Sequence, residues 1–348
     1  MINFRDHLII SGSLITLALE QLNKLAQDAI LFVVDEQDKL IGALTDGDIR
    51  RGLLKGAHID QSINYIIQPN PRFIKKGERD IKRVIEYREG LYRIIPIIDS
   101  NNKVVNVINF REIRSYLPVD AVIMAGGKGQ RLLPLTATCP KPLLSVGDKP
   151  IIEHNIDRLS IFGINDLWIC VNYLGKMIED HLGDGSEKNL KISYVWEEEP
   201  LGTIGSVSQI NNFQHDYILI TNSDILTNLD YEHFFLEFLK EDADLGVVTI
   251  PYQVNIPYAV LETSNRNVVS FKEKPTYTYY SNGGIYLVKR SALEYLPSKS
   301  YFNATDLMEK LIENGKIVFS YPLMGYWLDI GNPQDYEKAQ IDLKNIRF

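Results

Sequence analysis

Hydrophobic and polar positions follow two different rhythms along this chain. From residue 120 onward, short β-rich apolar runs at 121–125, 166–172, 191–196, 217–221 and 245–251 are separated by helically spaced stretches at 150–162, 202–213 and 231–240. Runs with so little polar alternation fit strands buried on both faces. Their alternation with helices predicts a mostly parallel sheet covered by helices on both sides. A final helix is expected over 333–345. Before residue 118 the rhythm is a repeat with an offset of 64 positions. There Val34-Asp35, Lys39-Leu40-Ile41-Gly42-Ala43-Leu44-Thr45 and Asp48-Ile49 are echoed by Ile98-Asp99, Lys103-Val104-Val105-Asn106-Val107-Ile108-Asn109 and Glu112-Ile113. Each copy reads as strand, tight polar turn, strand and the start of a helix. A helical stretch precedes each copy, at 13–25 and 79–87. Two domains follow from this reading, 1–117 and 120–348, joined by the short Tyr116-Leu117-Pro118-Val119 connection.

Composition narrows the picture. With 348 residues, 45% of them hydrophobic, the chain can build two sizeable cores. The net charge of −8 is unevenly placed: 17 Lys and Arg face 15 Asp and Glu through residue 119, and 20 face 30 thereafter. The acidic excess of the larger part argues against a nucleic-acid partner, which needs a basic face. Cys139 and Cys170 have no paired histidines near them and give neither a disulfide framework nor a zinc site. The start MINFRDHLII lacks the long apolar stretch of a signal peptide. No run of about eighteen apolar residues suggests a membrane span. The expectation is a cytoplasmic chain with reduced thiols.

The most informative stretch begins where the 121–125 strand runs into Gly126-Gly127-Lys128-Gly129-Gln130-Arg131. Glycines let backbone N–H groups approach a phosphate, because no Cβ intervenes and φ can be positive. Arg131 and Lys141 add fixed positive charge suited to a triphosphate. This is not a P-loop, since Lys128 is followed by Gly129 and not by Ser or Thr. Nor is it a dinucleotide fingerprint, since Leu132 occupies the place of the third glycine. Taken singly, each feature has a plainer reading. The glycines fit a surface turn, Asp224 a helix N-cap, Asp329 a turn carboxylate, Lys141 a solvated lysine, and Lys272-Glu273-Lys274 an exposed strand.

Six motifs in one order carry a resemblance. Gly126–Arg131 with Pro140-Lys141-Pro142 comes first, followed by Glu199-Pro200-Leu201-Gly202-Thr203 and Asn222-Ser223-Asp224. Phe271-Lys272-Glu273-Lys274-Pro275, Asn282-Gly283-Gly284 and Trp327-Leu328-Asp329-Ile330-Gly331 complete the series. Together they resemble the sugar-1-phosphate nucleotidyltransferases from residue 120 to the end. The resemblance implies a Rossmann-like three-layer α/β/α domain, Mg²⁺ as cofactor, and a nucleoside triphosphate and a sugar-1-phosphate as substrates. Arg131 and Lys141 would be catalytic, and Asp224 and Asp329 would hold the metal. Ala125, Gly126, Gly127, Gly129, Glu197, Pro200, Gly202 and Thr203 would surround the nucleotide. Tyr258, Glu273, Lys274, Asn282 and Gly283 would contact the sugar phosphate. The Tyr258-Ala259-Val260 segment stands where the family usually has Tyr-Gly-Val.

The nucleophile in that chemistry is already an anion, so no general base is required. Catalysis then consists of positioning and positive charge. Glu197 occupies the family's base-reading position. A carboxylate there can accept both the N1–H and N2–H₂ of guanine, which points to GTP; an exposed run of three glutamates is the alternative.

The N-terminal repeat resembles a tandem pair of CBS domains, an α+β module. In that family Thr45 and Asp48 would meet the ribose of an adenine nucleotide, whereas the second copy has Asn109 and Glu112. Asp48 also fits a helix N-terminal charge, and the module fits a dimerisation or docking role within a homo-oligomer. Ahead of a guanylyltransferase-like domain, the pair resembles the glucosamine-1-phosphate guanylyltransferases of legionaminic acid pathways. Mannose-1-phosphate guanylyltransferase and glucose-1-phosphate thymidylyl- or uridylyltransferase are the alternatives within the class. A catalytically inactive nucleotide sensor is the alternative outside it.

Overall fold

The computed structural model describes residues 4–77 and 80–346, and the chain forms two compact units, the first reaching to Pro118 and including Ile161–Gly163, the second made of the rest. The first residue of the expected 79–87 helix, Arg79, lies outside the described residues, as do Phe348 and Arg347 at the end of the chain.

The repeat in the first unit extends to hydrogen-bond register. Strands Ile30–Val34 and Leu40–Thr45 form an antiparallel hairpin with a bulge between Val33 and Val34. Strands Ile94–Ile98 and Val104–Asn109 form its counterpart, bulged between Ile97 and Ile98. Both turns place one residue at positive φ, Asp38 at 63° and Asn102 at 62°. Asp35 and Asp99 hold these turns in the same way, each accepting two backbone N–H groups. An isolated bridge joins Lys39 to Lys103, so the two copies meet at equivalent residues.

The copies then diverge. Helix Asp46–Leu54 follows the first hairpin, but no helix follows the second among the described residues. After a single turn in which the Ile113 N–H donates to the Asn109 carbonyl, the Arg114 and Leu117 N–H groups donate instead to the Ile161 and Phe162 carbonyls, at 2.6 and 3.0 Å. In the first copy, Thr45 and Asp48 form a capping box. The Thr45 backbone N–H and hydroxyl both donate to Asp48 Oδ2, at 2.9 and 2.6 Å, while Arg51 and Gln68 donate to Oδ1 at 2.6 and 2.9 Å. The carboxylate expected to meet a ribose is therefore buried and engaged by its own fold, because a short polar side chain at the start of a helix satisfies the orphan N–H groups there.

The second unit is built on a seven-stranded sheet. Its strands lie in the order Lys191–Trp196, Asp166–Val171, Val119–Met124, Tyr217–Asn222, Thr276–Lys289, Leu245–Asn255 and Val318–Pro322. Only Thr276–Lys289 runs against the others. Val122, Ile218 and Ile220 point to one face, where Leu307 and Leu311 of helix Ala304–Glu313 pack. On the other face a side chain at Gly246 would press into Phe238 and Phe234 of helix Tyr231–Lys240, at 2.9 and 3.2 Å. Helices on both faces make the three layers, and the central strands are mostly apolar because neither face meets water, with Asp120 a buried exception. The helix expected over 202–213 is only a 3₁₀ turn, Gly205–Gln209. Its two glycines explain this: Gly202 sits at φ 80°, and a side chain at Gly205 would collide with the Ser300 carbonyl at 2.4 Å. Beyond Thr249 the Leu245–Asn255 and Thr276–Lys289 pair leaves the sheet as a ribbon. It carries a second hairpin, Val260–Ser264 with Asn267–Lys272, whose side chains are largely exposed.

Candidate active site

A cavity of about 720 Å³ opens at the carboxyl ends of the Val119–Met124 and Tyr217–Asn222 strands. Loops gather at that end of a parallel sheet, and the strand tips leave a crevice between them. Its walls include Gly126, Gly127, Gly129, Arg131, Lys141, Glu197, Pro200, Gly202, Thr203 and Asp224. Ala125 is buried behind this wall, where its backbone N–H donates to the Cys170 carbonyl at 2.8 Å and anchors the start of the loop.

The glycine loop has a steric reason at Gly129. It sits at φ 62°, and a Cβ there would lie 2.9 Å from Thr136 Cγ2 and 3.1 Å from Lys141 Cβ. The Thr136 hydroxyl donates to the Gly129 carbonyl at 2.9 Å, closing the loop on itself. Gly127 has open space where a side chain would be, leaving its backbone accessible from the cavity. The Arg131 guanidinium lies against Gly331: a Cβ built on that glycine would be 3.4 to 3.5 Å from it.

Lys141 begins a 3₁₀ turn and is only 8% exposed. Its ammonium pairs with Asp224 and approaches Asp329 Oδ1 at 3.8 Å. A ladder of two short strands, Ile225–Thr227 and Trp327–Asp329, sets that meeting, with Ile225 opposite Asp329. The Ile330 N–H donates to the Asp224 carbonyl at 3.0 Å, and buried Asn155 donates to the Ser223 carbonyl at 3.1 Å. Asp224 therefore leads into a strand and caps no helix. Burial, and then the Asp224 carboxylate, push the Asp329 carboxyl up; Lys141 and Arg131 act in the opposite direction. One oxygen of each carboxylate, Asp224 Oδ1 and Asp329 Oδ1, is buried without a hydrogen-bond partner. Two hard oxygen donors so placed fit Mg²⁺, which needs only one or two protein carboxylates.

Glu197 follows the Lys191–Trp196 strand and is 8% exposed. Its Oε2 lies 3.1 Å from where a Cβ of Gly126 would stand, so only glycine leaves room for both. Burial raises its carboxyl above the usual glutamate range. Asn172 donates to its carbonyl at 2.7 Å and fixes its backbone. Thr203 accepts the Ala304 N–H at 2.9 Å, tying the Pro200–Thr203 wall to helix Ala304–Glu313.

The expected sugar contacts fall into two groups. Asn282 and Gly283 lie in strand Thr276–Lys289, near the cavity-lining Asn222 through Gly284, but do not themselves line the cavity. Asn282 Oδ1 accepts the Gly284 N–H and the Tyr286 hydroxyl, at 2.9 and 3.0 Å, while the Gly283 carbonyl accepts Trp327 Nε1 at 2.8 Å. Gly284, at φ 71°, abuts the Asn222 amide. Tyr258, Ala259, Glu273 and Lys274 lie on the exposed ribbon and do not line the cavity; Tyr258 is 75% exposed. Sequence reasoning had no roles for Asn155, Asn222, Tyr301 or Gly331. Gly331 carried a legible signal, closing the Trp327–Gly331 motif; Asn155 carried none.

Comparison with known proteins agrees with this geometry. A nucleotidyl transferase family model matches residues 120–346, and a CBS domain model matches residues 14–55. The chain belongs to the nucleotidyl transferase family and carries a CBS domain in its first unit. It is 31% identical over 232 residues to a mannose-1-phosphate guanylyltransferase of Mycobacterium tuberculosis, covering 65% of this chain and 64% of that protein. The chain thus spans slightly less than two thirds of that relative's length. It is 29% identical over 230 residues to the D-glycero-alpha-D-manno-heptose 1-phosphate guanylyltransferase of Aneurinibacillus thermoaerophilus, covering 65% of this chain and 99% of that protein. Among solved structures, HddC from Yersinia pseudotuberculosis, complexed with GMP-PN, is similar with a TM-score of 0.50. It is 26% identical, and the match covers 64% of this chain and 99% of that one. No helix among the described residues is long and apolar enough to cross a membrane.

Proposed function

We propose that the second unit is a sugar-1-phosphate guanylyltransferase, joining GTP and a sugar-1-phosphate into a GDP-sugar with release of pyrophosphate. The observation that carries this reading is Lys141 held between Asp224 and Asp329 beneath the glycine loop, with one buried oxygen on each carboxylate lacking a hydrogen bond. Such a centre suits two polyanions that must be brought together against their repulsion.

An oxygen of the sugar phosphate attacks the α-phosphorus of GTP, and the bond from that phosphorus to the α,β-bridging oxygen breaks. Pyrophosphate leaves with the bonding electron pair, and no proton need move. Backbone N–H groups of Gly126, Gly127 and Gly129 face the triphosphate, and the Arg131 fork grips its β- and γ-phosphates. Lys141 offsets charge on the α-phosphoryl oxygens, where fixed positive charge acts most strongly on the transition state. Asp224 and Asp329 would hold Mg²⁺, whose charge would further neutralise the phosphate oxygens. Glu197 would accept both guanine donors, with Pro200, Gly202 and Thr203 beside the nucleoside. Asn282 and Gly283 would border the sugar, while Tyr258, Glu273 and Lys274 would reach it only with the ribbon brought over the cavity.

The sugar we place first is glucosamine-1-phosphate, because of the CBS-and-guanylyltransferase arrangement, with mannose-1-phosphate next. The test is pyrophosphate release with each nucleoside triphosphate, Mg²⁺ and glucosamine-, mannose- and glucose-1-phosphate. Turnover with GTP supports the reading. Turnover only with TTP or UTP removes the guanine assignment, and no turnover with any pair favours a nucleotide sensor.

A further inference from the structure

The opposite end of the same sheet holds a second group of ligating side chains that the nucleotidyl-transfer chemistry does not use. Asp120 is the second residue of strand Val119–Met124, Asp166 opens strand Asp166–Val171, and His215 stands two residues before strand Tyr217–Asn222. These three strands are parallel neighbours, with Leu167 and Leu219 both paired to Ala121, so their starting ends lie side by side. One ligand atom from each of the three side chains lies within 4.8 Å of the others. Four residues of extended strand, about 13 Å, separate Asp120 from Met124 at the rim of the catalytic cavity.

Asp120 shows that the group is more than a chance acidic cluster. Its side chain is fully buried in an otherwise apolar strand. One oxygen, Oδ2, accepts the His215 backbone N–H at 2.8 Å, while the other, Oδ1, is buried without a hydrogen-bond partner. A buried carboxylate oxygen left without a partner is costly, and a cation is one way to satisfy it. A small cavity of about 10 Å³ lies beside Asp120 and Asp166; Lys191 and Gln214 also border it, whereas His215 approaches the two carboxylates from outside its wall. The nearby Arg290 guanidinium is directed to the Phe213 and Asn211 carbonyls, at 3.1 and 3.4 Å.

We propose that Asp120, Asp166 and His215 form a binding site for one divalent transition-metal cation, with zinc as the reference ion. An imidazole beside two carboxylates suits zinc better than magnesium or calcium, which prefer oxygen alone. The bound ion joins the starting ends of three neighbouring strands and gives the buried Asp120 Oδ1 the partner that no hydrogen bond supplies.

The test uses the full chain carrying Asp224→Asn, so that the carboxylate pair of the catalytic cavity does not compete for the ion. After chelation and dialysis the protein is titrated with zinc chloride by calorimetry, and bound metal is measured directly. His215→Ala and Asp166→Asn are then added singly. Both residues are only half-buried, and His215→Ala keeps the backbone N–H that Asp120 needs, so folding should survive either change. The expected result is one zinc per chain, weakened at least about tenfold by either substitution and not displaced by millimolar Mg²⁺. Absence of saturable zinc binding in the Asp224→Asn chain would overturn the proposal. Binding indifferent to both substitutions would overturn it too, leaving the cavity to a water or a proton.

Discussion

Asp224 and Asp329 are brought to one lysine by two strands of three residues each. Ile225 faces Asp329 in the ladder, and the Ile330 N–H closes the turn onto the Asp224 carbonyl. Carboxylates more than a hundred residues apart thus meet over Lys141. Their buried oxygens lacking a hydrogen bond make the pair electrostatically unfavourable by itself and receptive to a cation. Asp224→Asn should therefore lower kcat at least about 100-fold while moving the thermal midpoint by no more than about 2 °C. Mg²⁺ should raise the midpoint of the parent chain and not that of the variant, because a ligand stabilises only the fold that binds it. A matching fall in stability without ligand would mean that the carboxylate is structural.

Gly129 is the position where the loop and the lysine share space. A methyl group there meets positive-φ strain and lies 3.1 Å from Lys141 Cβ. Gly129→Ala should displace Lys141 and reduce kcat more than it raises KM for the sugar phosphate. Steady-state kinetics with both substrates varied would show this, and an unchanged kcat would remove the proposed coupling.

Glu197 can accept from guanine only as a carboxylate, and burial raises its pKa. The ionised form is therefore present only above that raised value, and protonation on acidification removes an acceptor. As pH falls, kcat/KM for GTP should decline at a higher pH than an ordinary glutamate would cause. Glu197→Gln should abolish this acid limb and shift the nucleotide ranking away from GTP. A pH profile that Glu197→Gln leaves unaltered would remove Glu197 as the base reader.

Asp48 is predicted to matter for folding and not for turnover. Burial pushes its carboxyl up, but hydrogen bonds from Thr45 and Arg51 outweigh burial and hold it below the ordinary value. A depressed carboxylate gives stability that is present above its unfolded pKa and lost as pH falls through the folded one. Asp48→Ala should cost the first unit about 1–2 kcal/mol at neutral pH, a penalty that shrinks below about pH 4. Denaturant unfolding at several pH values measures this, and an equal cost at low and neutral pH would contradict it.

How much was legible in the sequence depended on how local each signal was. The repeat of 64 residues was readable down to its turn residues, because each hairpin is specified by alternation and one positive-φ position within about fifteen residues. The central strands were readable because continuous apolar runs are what doubly covered strands require. The helix expected over 202–213 was misread because its apolar spacing is real while the backbone is constrained by Phe302 and Ser300, which come from far along the chain. Asp48 was ambiguous for the opposite reason: capping and ligand binding ask for the same residue type, and the hydrogen bonds of the fold give the capping role its partners.

The sequence by itself determined the two rhythms, the glycine loop and the residue types available for phosphate and cation chemistry, since those rest on local sterics and on charge. Tertiary structure decided which of those residues meet. It set Lys141 between two distant carboxylates, pressed Glu197 against Gly126, and left Tyr258, Glu273 and Lys274 on an exposed ribbon. It also gathered Asp120, Asp166 and His215 at the far end of the sheet, where no motif marks them. Strand order and register fix such encounters, and both arise from burying apolar faces over the whole sheet, a global balance that no short segment of the chain contains.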